Sequence, residues 1–268
     1  IRTWKKENPD REYTPPHHSL GAFHRDLNIL SEIASVDDPA ALSTEQALQA
    51  VDALNARSTE VTARRRHGTW RAFYGWMEEK KWIQNSPFRF QMAAQTPRPK
   101  LELQYLTPRE AQILLETADR EESPAPAFLI RLALYTGMKV SEMALIKVKD
   151  LIPEQDRVRV HGKHPRDVAV SHDLFEAYEQ FLVYLRKQGR APENPDSLAI
   201  GYTKRWMEKE LRSVTEKVKA QLGQRPTYGT LRWTRAVWDL RNGVSEDRVR
   251  TKLGFTEVAW VQNTRKRL

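Results

Sequence analysis

The sequence predicts a mainly α-helical protein of two domains with one small β-hairpin or three-stranded sheet. Three observations predict it. Apolar residues recur at i, i+3, i+4 spacing along most of the 268 residues. Strict alternation occurs once, at Arg157-Val158-Arg159-Val160. Gln95-Thr96-Pro97-Arg98-Pro99-Lys100 holds two prolines and two cations but no apolar side chain for a core, so it reads as a linker. The expected organisation is an arm at 1–15, a helical domain at 16–94, a linker at 95–102 and a second domain at 103–268.

Each element has a local cause. Leu20, Phe23, Leu27, Leu30 and Ile33 form the apolar face of a first helix. Ser43-Thr44-Glu45-Gln46 is a capping box that opens a second, with Ala47, Leu48, Val51 and Leu54 facing inward. Ser58 or Thr59 opens a third that runs to Lys80, its apolar side made of Val61, Trp70, Phe73, Tyr74 and Met77. After the linker, Thr107-Pro108-Arg109-Glu110 combines an N-cap, proline at the first helical position and glutamate at the third. Ala127 to Tyr135 is almost continuously apolar, which predicts a buried helix ended by Gly137. A short helix is expected from Val140 to Ile146. The hairpin follows, turning at Gly162-Lys163-His164-Pro165 and returning through Val168-Ala169-Val170. Helices are expected at 171–188, 203–222 and 229–242. Ser245 caps another that ends at Gly254.

Composition narrows the function. The chain has no cysteine, which excludes disulfides, thiolate-bound zinc and cysteine nucleophiles. It shows no apolar run of the ~18–20 residues that span a bilayer and no signal-peptide pattern at its start. There is no Walker or G-x-G-x-x-G loop. His17, His18, His67, His161, His164 and His172 lack metal-ligand spacing, so neither a cofactor nor a metal is expected. The net charge is +9. Residues 1–96 carry 13 basic and 12 acidic groups, and the remainder 31 and 23. Residues 225–268 alone carry ten and four. A cationic excess held in one part of the chain points to a polyanionic partner.

Six segments, taken in order, resemble one family. They are Ser58-Thr59 with Arg64-Arg65-Arg66 and the aromatic stretch Thr69 to Met77; Asn85-Ser86-Pro87; Tyr135-Thr136-Gly137-Met138-Lys139-Val140-Ser141-Glu142-Met143; Gly162-Lys163; Leu231-Arg232; and Asn242-Gly243-Val244 with Lys252-Leu253-Gly254. Together, over residues 16–264, they resemble the tyrosine recombinases, the phage-integrase and Xer family. The resemblance implies a SAM-like helical core-binding domain followed by an α-rich catalytic-type domain, the two clamping duplex DNA. It also implies a chemistry. A tyrosine attacks a phosphodiester, two arginine forks hold the phosphate oxygens, and a hairpin lysine and histidines move protons.

Residue by residue, this chain departs from that pattern. The first arginine is Lys139, which keeps the charge and loses the planar fork. The histidine three residues before the second arginine is Gly229. The second arginine survives as Arg232, and Trp233 follows it where the family often has histidine. The Leu-Gly-His position is Phe255. The family's spacing puts the nucleophile at Thr264, an aliphatic alcohol far less acidic than a phenol of pKa about 10. The hairpin lysine is Lys163, or else the tip is occupied by Arg166 or His164.

The expected function is therefore duplex-DNA binding by a recombinase-like fold without cleavage chemistry, located with the nucleoid in the cytoplasm. Such a protein would organise DNA, occupy recombination sites or regulate an active relative, with that relative or a second copy as partner. The candidate DNA contacts are Lys139, Lys163, Arg232, Arg64, Arg65, Arg66, Arg71 and Arg235. The alternative is an active recombinase using Tyr228 or Tyr202, a tyrosine beyond Leu268, or one supplied in trans. Each contact also has a structural reading. Lys139 can be a surface lysine, Arg232 a partner of Glu142 or Asp239, and Arg64–Arg66 a solvated helix face. Trp70, Phe73, Tyr74 and Trp76 read as core, and Trp233, Trp238 and Trp260 as packing residues.

Overall fold

The computed structural model describes residues 17–89, 103–162 and 164–266. The expected arm, the linker and Lys163 lie outside them. The chain divides between Arg98 and Pro99 into two compact units.

The first unit is built on α1 (His17–Ala34), α2 (Thr44–Arg57) and α3 (Glu60–Glu79). Ser43 and Gln46 close the capping box in both directions, at 3.1 and 3.0 Å. Ala63, His67, Trp70, Tyr74 and Met77 repeat at four- and three-residue steps and form the buried stripe of α3. Trp76 is buried too, and Phe73 packs against this core. Val61 is the exception to the sequence expectation. It falls on the opposite side of the helix and is 72% exposed. Leu48 on α2 is likewise exposed.

Asp26 fastens α1 to α3. Its carboxylate, 2% exposed, accepts both prongs of Arg65 at 2.5 and 2.9 Å and the Thr69 hydroxyl at 3.1 Å. The Trp70 indole N–H donates to the Asp26 carbonyl at 2.7 Å.

The second unit wraps around α5 (Ala125–Thr136), which packs on α4 (Pro108–Asp119). From Ala125 to Leu134 every side chain of α5 except Arg131 is buried. Arg131 reaches outward to Asp119 on α4 at 2.7 and 2.8 Å and to Asp173 at 2.9 Å. After the one-turn α6 (Val140–Met143) comes an antiparallel sheet of three strands, ordered β1 (Leu151–Ile152), β2 (Arg157–Val160), β3 (Arg166–Ala169). Val158 faces Val168 across the β2–β3 ladder, and both are buried beside α5.

The chain closes with α7 (Asp173–Lys187), α8 (Lys204–Leu222), α9 (Tyr228–Arg241), α10 (Glu246–Leu253) and α11 (Ala259–Arg265). Trp238 is partly buried against the main core of this unit. A satellite core of Ala236, Leu240, Val249, Leu253 and Val261 holds the last three helices together, with Trp233 and Phe255 packed on it.

Two elements differ from expectation. The helix at Val140 stops at Met143, not Ile146, because the following backbone pairs with residues 197–199. Ala199 N–H donates to Ile146 O at 2.9 Å and Val148 N–H to Ser197 O at 3.1 Å. Also, α11 exists, although no local start signal announces it: Val258 at its N-cap makes no side-chain cap.

Candidate functional site

The segment between α5 and α6 sets the first part of the site. Gly137 caps α5 in a left-handed conformation, φ +62°. Lys139 then begins α6, its N–H donating to Glu142 Oε2 at 2.8 Å. The Lys139 side chain is exposed and makes no ion pair among the described residues.

Glu142 is taken by Arg166, not by Arg232. Both prongs of Arg166 reach its carboxylate, at 3.0 and 3.1 Å. Arg166 also donates Nε to Lys252 O at 2.6 Å. Thus β3, α6 and the end of α10 meet on one guanidinium. Burial pushes the Glu142 carboxyl up, but the Arg166 fork, the Lys139 N–H and the nearby Arg232 charge outweigh it and hold the pKa below the ordinary value.

Arg232 stands on α9 and is 7% exposed. It makes neither of the ion pairs considered from the sequence. Nη1 donates to Gly137 O at 2.5 Å and Nη2 to Leu253 O at 2.6 Å. Its guanidinium lies 4.5 Å over the Phe255 ring. Burial lowers its pKa to about 10, Glu142 opposing and Arg166 adding to the fall. Phe255 stacks in turn on Trp233, 5.5 Å between centroids. Two positions that the resemblance assigns to histidine therefore form an apolar stack over the surviving arginine. Drawing Arg232 away would orphan two carbonyls at about 1–3 kcal/mol each.

Asp239, the other acid considered for Arg232, pairs with Arg235 at 2.9 Å and Lys252 at 2.9 Å. Gly229 leaves its place in the first turn of α9 without a side chain. It lines a cavity of about 300 Å³ with Val140, Leu211, Arg212, Thr227 and Tyr228.

The hydroxyl candidates are each held by a hydrogen bond or by ring packing. Thr264 is 3% exposed and donates to Trp260 O, one turn back on α11, at 2.9 Å. Tyr228 is buried and donates to Met207 O at 3.0 Å. Burial drives its pKa far above the ordinary phenol value. Tyr202 is stacked on Trp206 at 3.8 Å, under Arg190 at 4.2 Å.

In the first unit, Arg64 pairs with Glu60 and Arg65 with Asp26, while Arg66 donates to Ser58 at 3.1 Å. Arg66 also lies 3.6 Å from Asp26, so the triple-arginine run is divided between near partners and an acid on α1, and of the four cations proposed there Arg71 is the one exposed without an ion pair among the described residues.

The sequence reading missed two features. One is Arg166 as the mate of Glu142, a pairing across 24 residues with no local signal. The other was legible. Arg205, Lys209 and Arg212 recur at i, i+4, i+7 along the exposed side of α8, opposite Met207, Leu211, Val214 and Val218. These three cations form no ion pair among the described residues, and with Thr203, Trp206 and the acidic Glu208 they line a shallow groove. Among the described residues no three potential metal ligands cluster.

Comparison with known proteins agrees on one family. The phage integrase family model matches residues 104–265. The chain is 26% identical to tyrosine recombinase XerC of Halalkalibacterium halodurans over 75% of its own length and 69% of that protein. It is 28% identical to XerC of Caldanaerobacter subterraneus over 78% of its length and 60% of that protein. Solved structures of recombinases and integrases share its fold. The Tn1549 transposon integrase in complex with circular intermediate DNA gives a TM-score of 0.73 at 16% identity, covering 98% of this chain and 94% of that one. A lambda integrase dimer bound to a core site gives 0.70 at 13%, covering 99% and 95%. The XerH recombinase in a post-cleavage complex with a palindromic difH substrate gives 0.71 at 17%, covering 92% and 76%.

Proposed function

Because the chain belongs to the phage integrase family, we propose that it is a duplex-DNA-binding member that no longer cleaves strands. The observation that carries this reading is Thr264. Where the family's spacing puts the nucleophile, this chain has a buried hydroxyl whose proton is already given to a carbonyl of its own helix. Tyr228, the phenol four residues from Arg232, is buried and gives its proton to Met207 O. The positions that the resemblance gives to histidine, Gly229, Trp233 and Phe255, carry no titratable group, and Lys163, the hairpin candidate for a general acid, lies outside the described residues.

DNA binding does not depend on that chemistry. Affinity for a duplex comes from phosphate neutralisation by exposed cations, and both units supply them: Arg71 in the first, Lys139, Arg205, Lys209 and Arg212 in the second. The related integrases captured on DNA support duplex DNA as the partner.

Two measurements test the reading. On nicked suicide duplexes, no covalent protein–DNA adduct is expected after denaturation, and an adduct lost in Tyr228→Phe would overturn it. In filter binding, the logarithm of the association constant should fall linearly with the logarithm of salt concentration. Replacing Arg205, Lys209 and Arg212 together by alanine should flatten that slope by about 0.9 for each phosphate contact removed. Absence of duplex affinity at low salt would end the DNA reading.

A further inference from the structure

We infer that Arg232, the one catalytic-position arginine this chain retains, is a positioning residue that locks the carboxy-terminal helices and does not hold a phosphate. The inference goes beyond the reading above, and its structural arm stands without it.

The geometry supports a lock on three sides. Nη1 takes the carbonyl of Gly137, the cap of α5, and Nη2 takes the carbonyl of Leu253, the last residue of α10. Both are helix C-termini, where carbonyl groups lack intrahelical donors and the dipole favours a cation. The guanidinium face is covered by Phe255, and Trp233 backs that ring. Arg166 adds a second guanidinium to the same helix end, through Lys252 O. Two arginines, one from α9 and one from β3, therefore tie the end of α10 to the body of the unit. The carbonyls take two of the five N–H donors, Phe255 covers one face and the residue is 7% exposed, so a phosphate would have to displace this packing to reach the rest.

The planar fork holds both carbonyls from two fixed nitrogens, whereas a lysine presents one point charge on a flexible stem. The test uses the full chain with Arg232→Lys and Arg232→Gln, and Lys139→Ala as a phosphate-contact reference. Hydrogen exchange of α10 and α11 is followed in the free protein. The salt slope is read on a mixed-sequence 30-base-pair duplex. Both Arg232 variants are expected to speed amide exchange in α10–α11 at least tenfold while keeping the wild-type salt slope. Lys139→Ala is expected to do the reverse, lowering the slope by about 0.9 with exchange unchanged. A slope reduced by that amount in folded Arg232→Gln would overturn the inference. So would wild-type exchange in Arg232→Lys, which remains decisive where the glutamine variant does not fold. If wild type shows no duplex affinity, the DNA-binding reading fails, while the exchange result still decides the role of Arg232.

Discussion

Gly137 shows how much of this site rests on a single backbone angle. Its φ of +62° turns the chain from α5 toward Lys139, and a Cβ there would lie 2.1 Å from Leu253 Cδ2. Alanine would suffer both left-handed strain and a steric clash with the residue whose carbonyl Arg232 holds. Gly201 has nearly the same angle, φ +67°, but open space around it. Gly137→Ala is therefore expected to lose roughly 2–4 kcal/mol, against about 1 kcal/mol for Gly201→Ala. Urea unfolding of the two variants measures the difference, and equal losses would show that the Leu253 contact costs nothing. The glycine's role as a helix stop is visible in the sequence. The Leu253 contact is not, because it joins residues more than a hundred positions apart.

Elements were legible where their ends are encoded locally and obscure where a distant partner sets them. Ser43–Gln46 and Thr107–Glu110 each carry a complete capping box, and α2 and α4 begin where those residues say. The length of α6 depends instead on the pairing of residues 146–148 with 197–199. Arg65 reads as part of a cation run, yet its partner Asp26 lies 39 residues upstream on another helix. The Glu142–Arg166 pair that joins α6 to β3 is of this second kind, and it has a pH signature. The Glu142 pKa is lower folded than its ordinary value of 4.5. Its contribution is thus complete above that value and disappears as pH falls through the lowered folded one. With both side chains largely buried, Glu142→Gln is expected to cost about 3 kcal/mol at pH 7. The gap to wild type should close as pH is lowered beneath about 4.5 in a series of urea titrations. A gap independent of pH would mean that the carboxylate charge contributes nothing to the joint.

At the scale of the whole molecule, two of the positions where the resemblance expects histidine, Trp233 and Phe255, pack on the satellite core of the last three helices, while Lys139 is exposed and Gly229 lines a separate cavity. The sequence told which groups were absent. It did not tell what fills their places, since Phe255, Trp233, Leu253 and Val261 become neighbours only when α9, α10 and α11 fold together. This distinction bears on what a tyrosine placed at position 264 would meet. If only a nucleophile were missing, Thr264→Tyr would supply it. But Thr264 is buried on the inner side of α11, in the same helix as the core residue Val261. A phenol there must either enter that core, at a cost of about 1–3 kcal/mol for overpacking, or turn α11 outward and leave Val261 unpacked. Even when turned out, it would meet an arginine fork engaged by two carbonyls, an aromatic stack in place of imidazoles, and a glycine at Gly229. The expected outcome for Thr264→Tyr is lowered thermal stability and no covalent adduct on nicked suicide duplexes. An adduct from that single substitution would show that Arg232 can be recruited to a phosphate and that the other replaced positions are dispensable. The locked state of Arg232 would then have to be abandoned, and the absence of cleavage in the wild type would come down to the nucleophile alone.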